Sequence, residues 1–165
     1  MNKILVIGCP GSGKSIFSKR LSSILKYPIL HLDRIFHIDN YNQISKEKLR
    51  KRIVDFCKEN RNFIIDGNYT GTLDYRLKYA DTVILFDIDN EICVSNAIKR
   101  VKDNQPRDDI APGFDNSIMD PGFIDYIKSF NQKLRPRIDR ILAENNIKPI
   151  IFYNYKDVEK FFENL

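Results

Sequence analysis

Short, continuous apolar runs alternate along this chain with longer stretches in which apolar residues recur every three or four positions. The runs at 3–7, 29–32, 63–65, 82–86 and 149–153 are rich in Ile, Leu, Val and Phe. Without polar alternation they read as strands buried on both faces. The segments 14–26, 45–60, 73–79, 91–102, 122–145 and 156–163 carry helical spacing. In 45–60, Leu49, Ile53, Phe56 and Cys57 form one apolar stripe, and Lys46, Lys48, Arg50, Lys51 and Arg52 fall on the solvated side. Asn90 is the expected N-cap before Glu91, and Asp120-Pro121 is a cap followed by proline at the first helical position. Pro136 inside 122–145 predicts a kink or two helices there. Five buried strands separated by helices predict one α/β domain over 1–165, with a parallel five-stranded sheet covered on both faces.

Ligands of such sheets bind beyond the carboxyl ends of the strands, so the residues just after each strand carry the chemistry. After the first strand comes Gly8-Cys9-Pro10-Gly11-Ser12-Gly13-Lys14-Ser15, which fits the phosphate-loop pattern G-x-x-x-x-G-K-[ST]. Its glycines let the backbone N–H groups turn inward on phosphate oxygens, and the following helix adds a partial positive charge. Gly8 to Ile16 is therefore the expected nucleotide-binding stretch for ATP. Lys14 would bridge the β- and γ-phosphates and the Ser15 hydroxyl would coordinate Mg²⁺.

Asp33, Asp66 and Asp87 follow the second, third and fourth strands. Carboxylates belong near water or a cation, although each also suits a turn or cap. Asp66 ends the strand expected beside the first and is the candidate to hold Mg²⁺ through water, together with Ser15. Segment 104–120 holds two prolines, a glycine and mixed charge before the Asp120 cap and reads as a flap over the phosphates. Arg100 and Arg107 flank it, so they are the expected cations on the γ-phosphate.

Composition narrows this little. Lys and Arg number 27 against 22 Asp and Glu, a net charge of +5. The positive residues are scattered and not interleaved with aromatics, so a single-strand-binding groove is not indicated. Cys9, Cys57 and Cys93 lack metal or disulfide spacing. His31 and His37 lack the partner spacing of a metal pair. No apolar run approaches the ~20 residues of a membrane span. The N-terminus reads as a core strand rather than a signal peptide, so a cytoplasmic protein without membrane partners is expected.

A phosphate loop at the N-terminus, Asp66-Gly67 at the third strand end and a basic flap before the last helices resemble the adenylate-kinase-like P-loop kinases. The segments His31-Leu32-Asp33, Ile64 to Thr70, Thr72 to Leu77 with Ala80 to Ile84, and Arg107 to Gly113 resemble the topology modulation (FlaR-like) proteins within that group. The resemblance implies a three-layer α/β/α P-loop nucleotide kinase fold. It implies a lid at about 103–120, a small acceptor-binding helical region at about 34–61, and phosphoryl transfer from Mg-ATP to a small acceptor. It also implies that Asp33 faces the acceptor and orients or deprotonates its hydroxyl, that Arg135, Arg137 or Arg140 contacts phosphate, and that adenine lies near Asn154 and Lys156.

The chain departs from that pattern at one point. Adenylate kinases follow Asp-Gly with Phe-Pro-Arg, whose arginine holds the acceptor phosphate; here Asn68-Tyr69-Thr70 follows. Arg76 is left either to replace that arginine or to be a helix-surface charge. Phe36, Tyr41, Tyr69 and Tyr75 are open to lining an acceptor pocket or to packing in the core. Two other functions stay open, a nucleotide-dependent DNA-associated regulator and an ATPase or nucleotide sensor without an acceptor.

Overall fold

The computed structural model describes residues 1–165. Five strands, β1 (Lys3–Gly8), β2 (Ile29–His31), β3 (Phe63–Asp66), β4 (Thr82–Phe86) and β5 (Ile150–Phe152), form one parallel sheet in the order β2-β3-β1-β4-β5. Ile4, Leu5, Val6 and Ile7 are all fully buried. Successive strand residues point to opposite faces, so helices cover the central strand on both sides and the expected layered α/β architecture holds.

The helices are α1 (Lys14–Leu25), α2 (Leu32–Phe36), α3 (Lys46–Glu59), α4 (Leu73–Leu77), α5 (Asn90–Asp103), α6 (Pro121–Lys128), α7 (Phe130–Lys133), α8 (Arg135–Glu144) and α9 (Tyr155–Glu163). On α3 the predicted division holds: Leu49, Ile53 and Cys57 are buried, and Lys46, Lys48, Arg50, Lys51 and Arg52 are exposed. Phe17 of α1 meets the rings of Phe86, Phe152, Phe161 and Phe162 at 5.1–5.5 Å. That aromatic cluster seats the helix after the phosphate loop against β4, β5 and α9, each pair adding about 0.5–1.5 kcal/mol beyond its buried area.

Four sequence expectations are corrected. Segment 122–145, expected as a kinked helix or two, is three helices, because Ser129 closes α6 by donating its N–H to Asp125 and Pro136 forces a fresh start at α8. Asp89, not Asn90, caps α5: its carboxylate accepts from the backbone N–H groups of Glu91 and Ile92 at 2.8 and 3.4 Å. Leu32 belongs to α2 rather than to the second strand, so Asp33 lies in the first turn of a short helix. Asp66 is the last residue of β3 itself, in register with Val6 and His31. The Asp120 cap stands as expected, its side chain accepting from Gly122 at 2.9 Å.

Candidate functional site

β1 runs directly into the glycine loop, and two contacts explain why glycine is needed there. Gly8 has φ 136° and a Cβ would lie 2.3 Å from the Phe86 carbonyl oxygen; Gly11 has φ 81° and a Cβ would lie 2.2 Å from that of Cys93. The loop therefore rests on β4 and on the backbone of α5. Lys14 Nζ folds across it and donates to the Cys9 carbonyl at 2.9 Å. Asn96 of α5 holds the far side, donating to the Gly11 carbonyl at 2.9 Å and to the Tyr155 hydroxyl at 2.8 Å. The Ser12 hydroxyl is buried without a partner, and Ile16 projects outward. Cys9 is buried, and contact with the Cys93 thiol, then burial, push its own thiol up. It is packing rather than a reactive thiol.

Asp66 stands beside the loop. Its Oδ2 accepts from Ser15 Oγ at 2.7 Å and from His31 Nδ1 at 2.9 Å, which requires the Nδ1-protonated tautomer of the imidazole. Its Oδ1 is buried with no hydrogen-bond partner. A buried carboxylate oxygen left free is costly unless something else meets it. No group of three or more His, Cys, Asp or Glu side chains forms a metal cage in the chain. The donor set here, one hydroxyl and one carboxylate, suits a hard, largely hydrated cation such as Mg²⁺.

Beyond β3 the chain makes a tight loop that the sequence reading missed. Gly8 N–H donates to Asn68 Oδ1 at 2.7 Å, and Asn68 Nδ2 donates back to the Gly8 carbonyl at 2.5 Å. Arg76 is fully buried under this loop and donates to the carbonyls of Gly67 at 3.0 Å, Asn68, and Tyr69 at 3.4 Å. Burial pushes its guanidinium down to about 10, so it stays charged near neutral pH. Arg76 is thus neither a surface charge nor free to take an acceptor phosphate. Nothing in the spacing announces this; only the unusual burial of an arginine does.

The next residue, Tyr69, has φ 34° and its hydroxyl donates to Asp33 Oδ1 at 2.8 Å. Its ring meets Phe36 edge-on at 4.8 Å. Of the four aromatics considered for a pocket wall, these two come together at Asp33. Tyr41 is 86 % exposed, and Tyr75 lies on α4 beneath the Arg50 guanidinium.

Residues 104–120 are tied down at both ends. Arg107 forms a fork to Asp109 at 3.1 and 2.5 Å, and Lys19 of α1 reaches Asp109 at 3.3 Å and also Asp108. Arg34 donates to the Asp108 carbonyl, and Asn40 and Asp115 exchange two hydrogen bonds at 2.6 and 3.0 Å. Burial opposes ionisation of Asp109, but Arg107 and Lys19 outweigh it and hold the carboxyl well below the usual range. Arg100 is half-buried, within the electrostatic reach of Arg107, Asp109 and Asp33. Asp87 and Arg135 pair with each other, Arg135 also holds Asp139 at 2.8 Å, and together they dock α8 at the end of β4. Arg137 and Arg140 are exposed.

Comparison with known proteins bears on the fold. No family model matches the chain. Adenylate kinases from three strains of Mesomycoplasma hyopneumoniae are each 32 % identical over 126 residues, covering 60 % of this chain and 58 % of the relative. The chain thus matches less than two thirds of those relatives' length. Among solved structures, a shikimate kinase from Acinetobacter baumannii in complex with shikimate superposes with a TM-score of 0.64 at 13 % identity, covering 99 % of this chain and 90 % of the other. A deoxyadenosine kinase from M. mycoides with bound dATP gives 0.59 at 13 % identity, covering 98 % and 97 %. The chain has the α/β fold of the P-loop kinases. Its likeness in sequence is to adenylate kinases.

Proposed function

We propose that this protein transfers the γ-phosphoryl group of ATP, with Mg²⁺, to a hydroxyl of a small acceptor: a nucleoside, a nucleotide or another hydroxylated metabolite. The observation that carries the reading is the convergence at adjoining strand ends of the glycine loop with Lys14, the Asp66 carboxylate with one unpartnered oxygen, and the Asp33–Tyr69 pair.

Phosphoryl transfer needs positioning and charge neutralisation more than covalent help. In this reading residues 8–16 wrap the triphosphate, and Lys14 leaves the Cys9 carbonyl for the β- and γ-phosphates. Ser15 and Asp66 would hold Mg²⁺, with His31 fixing the Asp66 carboxylate from behind. When bound, the ion neutralises charge on the β- and γ-phosphate oxygens. Asp33 orients the acceptor hydroxyl and receives its proton, steadied by the Tyr69 phenol. Arg100 and Arg107 meet the charge that develops on the transferred group. Residues 103–120 act as the lid and about 34–61 as the acceptor region. Adenine rests towards Asn154, Tyr155 and Lys156, where Tyr155 already borders Gly13.

The likeness of residues 31–33, 64–70 and 107–113 to topology modulation proteins belongs with this proposal, as does a cytoplasmic setting. No helix is long and apolar enough to cross a membrane. The basic residues of α3 are spread around its exposed circumference rather than along one face, and Arg50 and Arg52 are turned to the Tyr75 ring and the Ile35 carbonyl, so a DNA-linked role has no structural observation in its favour.

A coupled ADP-release assay with Mg-ATP across nucleosides, nucleoside monophosphates, sugars and hydroxy acids tests the reading. One acceptor should raise turnover well above the water background, and Lys14→Ala and Asp33→Asn should each abolish that rise. Turnover at background for every acceptor, with ATP still bound, would leave a sensor or ATPase in its place.

A further inference from the structure

We infer that the acceptor carries no phosphate or carboxylate: it is an uncharged, hydroxylated compound with a ring skeleton, of the nucleoside or sugar type. This rests on the phosphotransferase reading and narrows its substrate.

Beyond β2 and β3, α2 and the 67–69 loop meet at a carboxylate and a phenol. Asp33 is exposed, and its Oδ1 accepts from Tyr69. Burial and then the Asp33 charge push the Tyr69 phenol up, so it remains a donor across the working pH range. The Tyr126 phenol of α6 lies within the electrostatic reach of Asp33 and is pushed up by burial, then by Cys9 and Asp33. Phe36 closes the wall against Tyr69 at 4.8 Å.

An anionic acceptor needs a cation to meet it, and the cations on this side are already engaged. Arg76 is fully buried and committed to the carbonyls of Gly67, Asn68 and Tyr69. Arg34 donates to the Asp108 carbonyl, and Arg52 to that of Ile35 at 2.9 Å. Arg50 lies over the Tyr75 ring at 5.1 Å. Arg100 has no ion pair, but it lies beside Arg107 at the base of the 104–120 segment, on the side proposed for the γ-phosphate. A phosphate set beside Asp33 would meet that carboxylate with Arg34 held at the Asp108 carbonyl and Arg100 assigned in this reading to the γ-phosphate, and such repulsion is itself a means of rejecting a ligand. An uncharged hydroxyl suits the same groups: it donates to Asp33, accepts from a phenol, and its ring packs on aromatic faces.

Matched pairs that differ by a single phosphate test this on the intact protein: deoxyadenosine with dAMP, and a hexose with its phosphate, with shikimate as a carboxylate probe. ADP release with Mg-ATP is measured, together with calorimetric binding when the donor site is filled by a non-hydrolysable ATP analogue. In at least one pair the uncharged member should react or bind about tenfold better or more, and shikimate should fail alongside dAMP. Tyr69→Phe should raise KM for that acceptor about tenfold while leaving affinity for the ATP analogue unchanged, a split that a folding defect would not give. Preference for dAMP, the sugar phosphate or shikimate overturns the inference. So does a panel in which no uncharged member binds although the ATP analogue does. If the analogue fails to bind, or binds equally to Lys14→Ala, the phosphotransferase reading falls first and takes the inference with it.

Discussion

The Asn68 carboxamide spans both backbone polar groups of Gly8, accepting from its N–H at 2.7 Å and donating to its carbonyl at 2.5 Å. In effect it adds one more rung of sheet pairing between the end of β3 and the first residue of the glycine loop. Asn68→Ala leaves both Gly8 groups without their partner and should cost about 1–3 kcal/mol of stability. Urea unfolding measures that loss. Nucleotide binding by the folded variant should weaken as well, because the entry angle of the loop is no longer fixed.

Arg76 underlies that clamp. Arg76→Met keeps much of the side chain's volume but orphans the carbonyls of Gly67 and Asn68, which the guanidinium holds in the native protein. About 3 kcal/mol of destabilisation is expected, since each buried unsatisfied acceptor costs about 1–3 kcal/mol. Arg76→Lys supplies charge without the planar fork and should recover only part of it. Thermal unfolding of the two variants checks the order.

Gly11→Ala places a methyl group 2.2 Å from the Cys93 carbonyl oxygen at a φ of 81°. Either α5 moves or the loop does, with a cost of about 1–3 kcal/mol from the backbone conformation alone. Stabilisation by Mg-ATP in a thermal-shift series should be lost in this variant even where the fold survives.

Asp66→Asn tests the proposed ion site separately from the nucleotide. The amide can still accept from Ser15 and His31, but it brings no charge to a cation. The dependence of ATP-analogue affinity on Mg²⁺ concentration should flatten, while binding without Mg²⁺ changes little. An unchanged Mg²⁺ dependence would remove Asp66 from the proposed site.

Asp109 should leave a mark on acid stability. Its carboxyl is held below the ordinary value in the folded chain, burial being outweighed by Arg107 and Lys19. A depressed acid contributes its full stabilisation above the unfolded value of about 3.9, and that contribution drains away as pH falls towards the folded value. Asp109→Asn should therefore be less stable than the natural protein near neutrality, and the difference should shrink below about pH 4. Chemical unfolding at a series of pH values reads the two curves.

Much of this site could be read from the chain, and what could not has a common cause. The glycine loop and the acidic residues near strand ends are local signals, fixed by spacing, and they fall where parallel strands deliver them. Asn68 and Arg76 act on backbone groups brought close only by the pairing of β1 with β3, and no periodicity reports such a contact. The pairing of Asp87 with Arg135 is hidden for the same reason: as isolated letters they are two charges, and only folding brings them together. The break of 122–145 into three helices was half legible in Pro136, while the stop at Ser129 depends on hydrogen bonds that close α6.

The position of β1 at the centre of the sheet has a further consequence. β4, α5 and α9 contact one flank of the glycine loop, and β3 with residues 67–69 contacts the other. The two flanks meet through the loop and through residues 104–120, so substitutions around Asp33 and Tyr69 that spare the Arg34 and Asn40 contacts can accumulate without disturbing the side held by Asn96 and Tyr155. In the proposed reading such a division would leave the acceptor side open to change while the nucleotide side stays fixed, a freedom a protein engineer could use.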